Sequence, residues 1–181
     1  MTFCSVCGAP TTVAVPEGDD RPRQICGRCR TVHYQNPRVV VGCIPVHAGR
    51  VLLCRRAIEP CRGRWTLPAG YLETGETVAA CAERETLEEA GARVCGLEPY
   101  RMYNICHIGQ IYFMFRAELA EPRFAAGRES LEVALFTEAE IPWGEIAFRV
   151  ISETLRDFFR DRAAGAFPFA VADIPPVRAA E

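Results

Sequence analysis

Apolar and polar positions along this chain change period several times, and each change marks a predicted element. Residues 38–46, Arg-Val-Val-Val-Gly-Cys-Ile-Pro-Val, are a β-rich, almost unbroken apolar run with Pro45 near its end and read as a strand. His47-Ala48-Gly49-Arg50 then reads as a hairpin turn into Val-Leu-Leu-Cys-Arg-Arg, a second strand. Residues 94–106, 108–119 and 131–136 also read as β, with Tyr112, Phe113 and Phe115 at β positions and a turn near His107-Ile108-Gly109. Two stretches switch to the helical period. Within 144–162, Ala147, Val150, Ile151, Leu155, Phe158 and Phe159 make one apolar stripe, as expected of a helix covering a sheet face. The other predicted helix spans 77–90 and stops at Gly91. Residues 121–130 read as loop, and the tail from Ala163 is Pro- and Ala-rich and expected to be irregular. A β-rich body with one central and one closing helix fits an α/β/α sandwich around a mixed sheet.

The central helix carries the first candidate chemistry. Glu85, Glu88 and Glu89 stand at i, i+3 and i+4, so they fan over roughly 100° of one helix face. Carboxylates that close repel one another, and the cluster is either a solvated face or a seat for a hard divalent cation. The preceding loop, with Pro68, Gly70 and Gly75, can bend sharply and bring backbone close to a ligand. Just upstream, Arg55, Arg56, Arg62 and Arg64 concentrate guanidinium groups suited to phosphate. Trp65 is read as core packing ahead of that loop.

Composition bounds the rest. The 181 residues can bury one ordinary core plus a small accessory module. A 49% hydrophobic and 24% charged content with a formal net charge of −2 offers no general pull on nucleic acid or membrane. An anionic substrate must therefore be met by local positive charge or by metal. The N-terminus lacks a basic segment followed by an apolar core, and a cytoplasmic protein is expected. Of the ten cysteines, six are scattered singly through apolar segments and read as small buried hydrophobes. The other four form two C-x-x-C knuckles, Cys4/Cys7 and Cys26/Cys29, with 18 residues between them. That spacing suits a structural four-cysteine zinc ribbon over residues 1–36. Redox C-x-x-C motifs would need a strand and helix context that is missing here.

Gly70, five residues, Glu76, seven residues, Arg84-Glu85, then Glu88-Glu89 and Gly91 together resemble the Nudix box. Two hydrophobic slots of that pattern hold Thr86 and Ala92. The resemblance implies a Nudix domain over 37–162, followed by the tail 163–181. It also implies that Glu85, Glu88 and Glu89 bind catalytic Mg²⁺ or Mn²⁺, with Arg84 supporting them and Glu76 tying the loop to the helix. A further acidic residue in such enzymes is an extra ligand or the base; Glu129 is the first candidate and Glu132 the second. Arg55, Arg56, Arg64, Gly70 and Tyr112 are the candidate substrate-binding residues.

A four-cysteine ribbon joined by His33-Tyr34-Gln35-Asn36-Pro37 to such a domain resembles the group acting on FAD and ADP-ribose, which implies hydrolysis releasing AMP by a homodimer. Two alternatives stand beside it. An NADH-type Nudix pyrophosphatase would carry a Ser-Gln-Pro-Trp segment where His107-Ile108-Gly109-Gln110 stands. A non-hydrolytic ADP-ribose sensor would have no need of all three carboxylates. A nucleic-acid-binding ribbon is disfavoured, because Glu17, Asp19 and Asp20 offset its arginines and the chain has no lysine.

Overall fold

The computed structural model describes residues 1–176, which fall into two compact units, one of residues 1–36 and one from Pro37 onward. The first holds three short antiparallel strands in sequence order, β1 (Thr11–Ala14), β2 (Arg23–Cys26) and β3 (Val32–His33). Its buried apolar cluster comprises only Cys4, Ala9 and Cys26. So small a core cannot by itself offset the entropy of ordering the segment.

The second unit is built on a mixed sheet of β4 (Arg38–His47), β5 (Arg50–Arg56), β6 (Trp65–Thr66), β7 (Ala69–Tyr71), β8 (Val94–Ile105), β9 (Gln110–Leu119), β10 (Ser130–Phe136) and β11 (Ala170–Asp173). The long strands run in the order β10-β5-β4-β9-β8-β11, with β6 beside β5 and β7 beside β4. The β4–β9 and β8–β11 pairs are parallel and the rest antiparallel. Helices α1 (Val78–Ala90) and α2 (Arg149–Ala164) cover opposite faces. Period-two alternation sorts the side chains between them. Val41 and Cys43 of β4 pack with Cys81 and Ala82 of α1, whereas Ile44 and Val46 pack with Val150, Ile151 and Leu155 of α2. Both faces of β4 are therefore dry, which is why its sequence reads as one apolar run. The expected α/β/α sandwich is the fold observed.

Helix α1 starts where Thr77, in an extended conformation, accepts a hydrogen bond from the Ala80 amide at 3.1 Å. It ends at Gly91 with φ 57°, a left-handed cap whose amide returns to the Leu87 carbonyl. The two odd slots of the box are explained by packing. Thr86 is fully buried and donates its hydroxyl to the Ala82 carbonyl at 2.7 Å, and Ala92 shares a buried cluster with Leu52, Cys54, Ala90 and Leu119. Trp65 is buried edge-on against Phe136, ring centroids 4.9 Å apart, which agrees with its reading as core.

Two expectations from the sequence need correction. Helix α2 begins at Arg149, not at 144, because 143–145 is a single 3-10 turn and the Ala147 amide donates to the Trp65 carbonyl at 2.8 Å. The backbone just before the helix is thus engaged in a bridge to the sheet. The tail is not irregular throughout. Helix α2 continues to Ala164, Gly165 caps it, and β11 adds a parallel edge strand to β8 in the register Ala170↔Arg101 to Asp173↔Asn104. Arg101, only 3% exposed, fastens this return. It donates to Asp157 at 3.1 Å, to Asp161, and to the Pro168 carbonyl, so a buried charge is fully paired at the junction of β8, α2 and the tail. Residues 177–181 of the expected tail lie outside those described.

Candidate active site

One cleft of about 1210 Å³ opens at the end of the sheet, and the Nudix-box helix forms one of its walls. β7, paired antiparallel with β4, sets Gly70 directly against that helix. A Cβ at Gly70 would lie 2.2 Å from Oε1 of Glu85, so only glycine lets the carboxylate approach the strand. Arg84 organises the wall. Its guanidinium donates to Glu85 at 2.6 Å, to Glu88 at 3.1 Å, to Glu76 at 2.7 and 3.2 Å, and to the Tyr71 carbonyl at 3.1 Å. Glu76 also accepts from the Glu73 amide at 2.8 Å, and these donors, Arg84 foremost, hold its carboxyl down to about 2. The loop is thus tied to α1 through Arg84 rather than through the helix N-terminus.

The three carboxylates differ sharply. Glu88 is exposed. Glu85 is buried, and that burial raises its pKa despite the adjacent Arg84. Glu89 is 7% exposed and receives one hydrogen bond, from the Ala69 amide at 3.2 Å. Burial pushes its carboxyl up to about 8. Among the described residues it has this one neutral donor and no ion-pair partner, an arrangement that is costly for a buried carboxylate unless a cation joins it. The donor atoms, all carboxylate oxygen, are of the type a hard divalent cation takes. In the conformation described, Arg84 holds Glu85 and Glu88, so the three carboxylates do not converge on one point. Among the described residues, only the four ribbon cysteines bring three or more His, Cys, Asp or Glu ligand atoms within 4.8 Å of one another.

Glu129 lines the same cleft. It is carried there by backbone. The Ala125 amide donates to the Ala90 carbonyl at 2.8 Å, the Gly127 amide donates to the Glu89 carbonyl at 3.0 Å, and the Ala57 amide donates to the carbonyl of Glu129 itself at 2.8 Å. The loop lies so close to α1 that a Cβ at Gly127 would stand 1.7 Å from the Glu88 carbonyl oxygen. Gly127→Ala is therefore expected to lift this loop off the helix, costing about 1–3 kcal/mol of stability and roughly tenfold or more in turnover. Thermal melts and steady-state kinetics check it; wild-type values in both would refute the positioning. Glu132, the second candidate base, points away and pairs with Arg55 at 3.5 Å.

Of the candidate substrate-binding residues, Arg56, Gly70 and Tyr112 line the cleft. Arg55 and Arg64 do not. Strand alternation turns Arg55 away from its neighbour, toward the Gly63 carbonyl at 2.9 Å and Glu132, and Arg64 reaches the Gly144 carbonyl at 3.4 Å. Arg56 donates to the Pro60 carbonyl at 2.8 Å and lies over the Phe148 ring, 5.1 Å from its centroid. Burial raises the Tyr112 hydroxyl. His107, from the turn between β8 and β9, also lines it. Glu73, Phe148 and Ile174 were not singled out in the sequence, since nothing local in their surroundings distinguishes a cleft wall from an ordinary loop, helix start or strand end.

In the ribbon, the Sγ atoms of Cys4 and Cys29 are 3.7 Å apart and those of Cys7 and Cys26 3.5 Å. A tetrahedron of thiolates about 2.3 Å from zinc has edges of about 3.8 Å, whereas a disulfide would draw sulfurs to about 2.05 Å. The amides of Val6, Arg28 and Cys29 donate to the sulfurs at 3.4 Å, and Thr31 bonds to Cys29 at 3.0 Å, which with the Thr31 amide brings that thiol down to about 6. The set fits zinc, and His33, with Nε2 3.3 Å from the Cys4 sulfur, stands as a neighbour of the cluster rather than a member of it.

The NUDIX domain model matches residues 36–155, about two thirds of the chain, and the Nudix N-terminal model matches residues 2–35. The chain belongs to the Nudix hydrolase family. Its N-terminal segment is the zinc ribbon of that family. A NUDIX hydrolase of known structure from Nitrosomonas europaea is 52% identical, with a TM-score of 0.93 over 97% of this chain and 100% of that one. Among curated relatives, the NAD-capped RNA hydrolases NudC of Photobacterium profundum and Vibrio atlanticus are 31% and 28% identical over 86% and 87% of this chain. The chain spans 58% of the length of those two relatives. No helix among the described residues is long and apolar enough to cross a membrane.

Proposed function

We propose that this Nudix protein hydrolyses the pyrophosphate bond of a nucleoside diphosphate linked to a second moiety, with FAD or ADP-ribose as the first substrates to test and AMP as a product. The observation that carries the reading is Glu89, a buried carboxylate with no ion-pair partner among the described residues, on a cleft wall it shares with Glu85, Glu88 and Glu129. Glu85, Glu88 and Glu89 would hold Mg²⁺ or Mn²⁺, which neutralises phosphate charge and makes a bound water more acidic.

The rest of the work falls to the chain. Arg84 keeps Glu85 and Glu88 on the cleft side by holding them against the Gly70 loop. Gly70 leaves room for Glu85. Glu129, which lines the cleft on its docked loop, would take a proton from the attacking water. Arg56 supplies the guanidinium for a phosphate oxygen opposite the carboxylates. The zinc ribbon staples residues 1–36 and takes no part in the bond cleavage.

A NAD-type dinucleotide is the second reading, favoured by the similarity to relatives named NAD-capped RNA hydrolases. A panel of FAD, ADP-ribose, NADH and diadenosine compounds with Mg²⁺ or Mn²⁺, products identified by mass, separates the two. AMP with a phosphorylated second product is the expected result. No cleavage of any member by folded, metal-supplied protein would overturn the proposal. Gel filtration of the same sample checks the homodimer that accompanies the reading.

A further inference from the structure

The chain after α2 turns back and, near the end of its described part, reaches the cleft wall at Ile174 and Pro175. β11 runs parallel to β8, so both strands point toward the same end of the sheet, where Ile105 of β8 and then Ile174 and Pro175 line the cavity. An antiparallel tail would have ended at the opposite edge. The return is held at each step. The Ile174 amide donates to the Asn104 carbonyl at 2.9 Å, Asn104 Nδ2 donates to Asp173 at 2.9 Å, and Arg149 Nη1 donates to the Pro175 carbonyl at 3.0 Å. Ile174 is 6% exposed and belongs to the main core cluster, so the wall it makes is rigid.

This wall differs in chemistry from the carboxylate wall. Ile105, Phe148, Val150, Ile174 and Pro175 present apolar surface, with Arg56 and Arg149 as the cations beside it. Three strand spacings, roughly 14 Å, separate β4, which carries the Gly70 loop, from β11. A diphosphate held at the carboxylates has one arm long enough to cover that distance. The surface at its far end suits a flat, weakly polar heteroaromatic ring better than a sugar, whose hydroxyls would find few partners there.

We propose that Ile174 and Pro175, strapped by Arg149 and Asn104, are specificity-determining residues that receive the planar ring of one nucleoside arm of the substrate. The inference rests on the pyrophosphatase reading for the word substrate, but the ring subsite can be measured without turnover. Calorimetry on the full-length protein with adenosine, riboflavin and nicotinamide riboside probes the wall, and inorganic pyrophosphate with Mg²⁺ probes the carboxylates.

Wild type is expected to bind at least one nucleoside. Ile174→Ala and Arg149→Gln should weaken that binding roughly three- to tenfold, leave pyrophosphate binding as it was, and raise KM for the cleaved dinucleotide more than they lower kcat. Because Ile174 also packs in the core, Arg149→Gln, with a half-exposed side chain, serves as the variant least exposed to unfolding. Nucleoside binding at the wild-type level in both folded variants would overturn the subsite, as would wild type that binds pyrophosphate and no nucleoside. Binding of a nucleoside through this wall with no dinucleotide cleaved would support the subsite and sink the pyrophosphatase reading alone.

Discussion

Glu89→Gln is expected to lower turnover at least about a hundredfold while making the metal-free protein more stable at alkaline pH. Both effects come from one carboxylate. Its pKa is raised from 4.5 to about 8 because burial disfavours the charged form. The folded state therefore binds more protons than the unfolded state between those values, and wild-type stability falls as pH rises from about 4.5 toward about 8. The loss is on the order of a few kcal/mol. Glutamine keeps the shape and the bond from the Ala69 amide without the charge, so that slope should vanish.

Melting curves in chelator at pH 5 and pH 8, with kinetics on the same samples, check the prediction. The two proteins should melt alike at pH 5 and the variant should melt higher at pH 8. Added Mg²⁺ or Mn²⁺ should stabilise wild type at pH 8 and leave the variant much less affected, since an ion that binds only the folded state stabilises it in proportion to its affinity. A variant with full activity would remove Glu89 from the metal site.

Cys26→Ser should release the ribbon's metal and unfold residues 1–36. Cys26 is fully buried and is part of a cluster with Cys4 and Ala9 that has no larger apolar side chain. Structural zinc contributes about 10–16 kcal/mol of binding free energy in comparable small sites, far more than that cluster can replace. Elemental analysis of dialysed wild type should give about one zinc per chain, and the variant none. Trypsin reports the fold, because Arg21, Arg23, Arg28 and Arg30 all lie in the ribbon. Rapid cleavage there, with the rest of the chain surviving, is the expected pattern. Zinc retained by a protease-resistant variant would refute the staple.

Much of this was legible beforehand because it is written in spacings. The box from Gly70 to Gly91 puts Glu85, Glu88 and Glu89 on one helix face, and each knuckle, Cys4/Cys7 and Cys26/Cys29, holds its own pair within one turn, so local geometry alone makes those residues neighbours. The buried run of β4 and the stripe of α2 likewise report their surroundings through period. The limits were reached where partners are distant. Arg55 and Arg56 look equivalent in sequence, and only the pairing of β5 with β6 and β10 sends one to Glu132 and the other to the cleft. Glu129 and Glu132 are separated in the same way, by how Gly127 docks on α1.

The amino-acid sequence by itself therefore carried the family signature, the carboxylate face of one helix and the two cysteine knuckles, all of which depend on residues close along the chain, and the periods of its segments pointed to the layered fold. The tertiary structure decided the rest. It turned Arg56 into the cleft and Arg55 and Arg64 away from it, gave Glu89 its burial, and brought Ile174 and Pro175 back to the cleft through a strand paired with residues about seventy positions earlier. Such contacts join segments with no fixed spacing. Their energies depend on burial and pairing, which exist only once the sheet has formed.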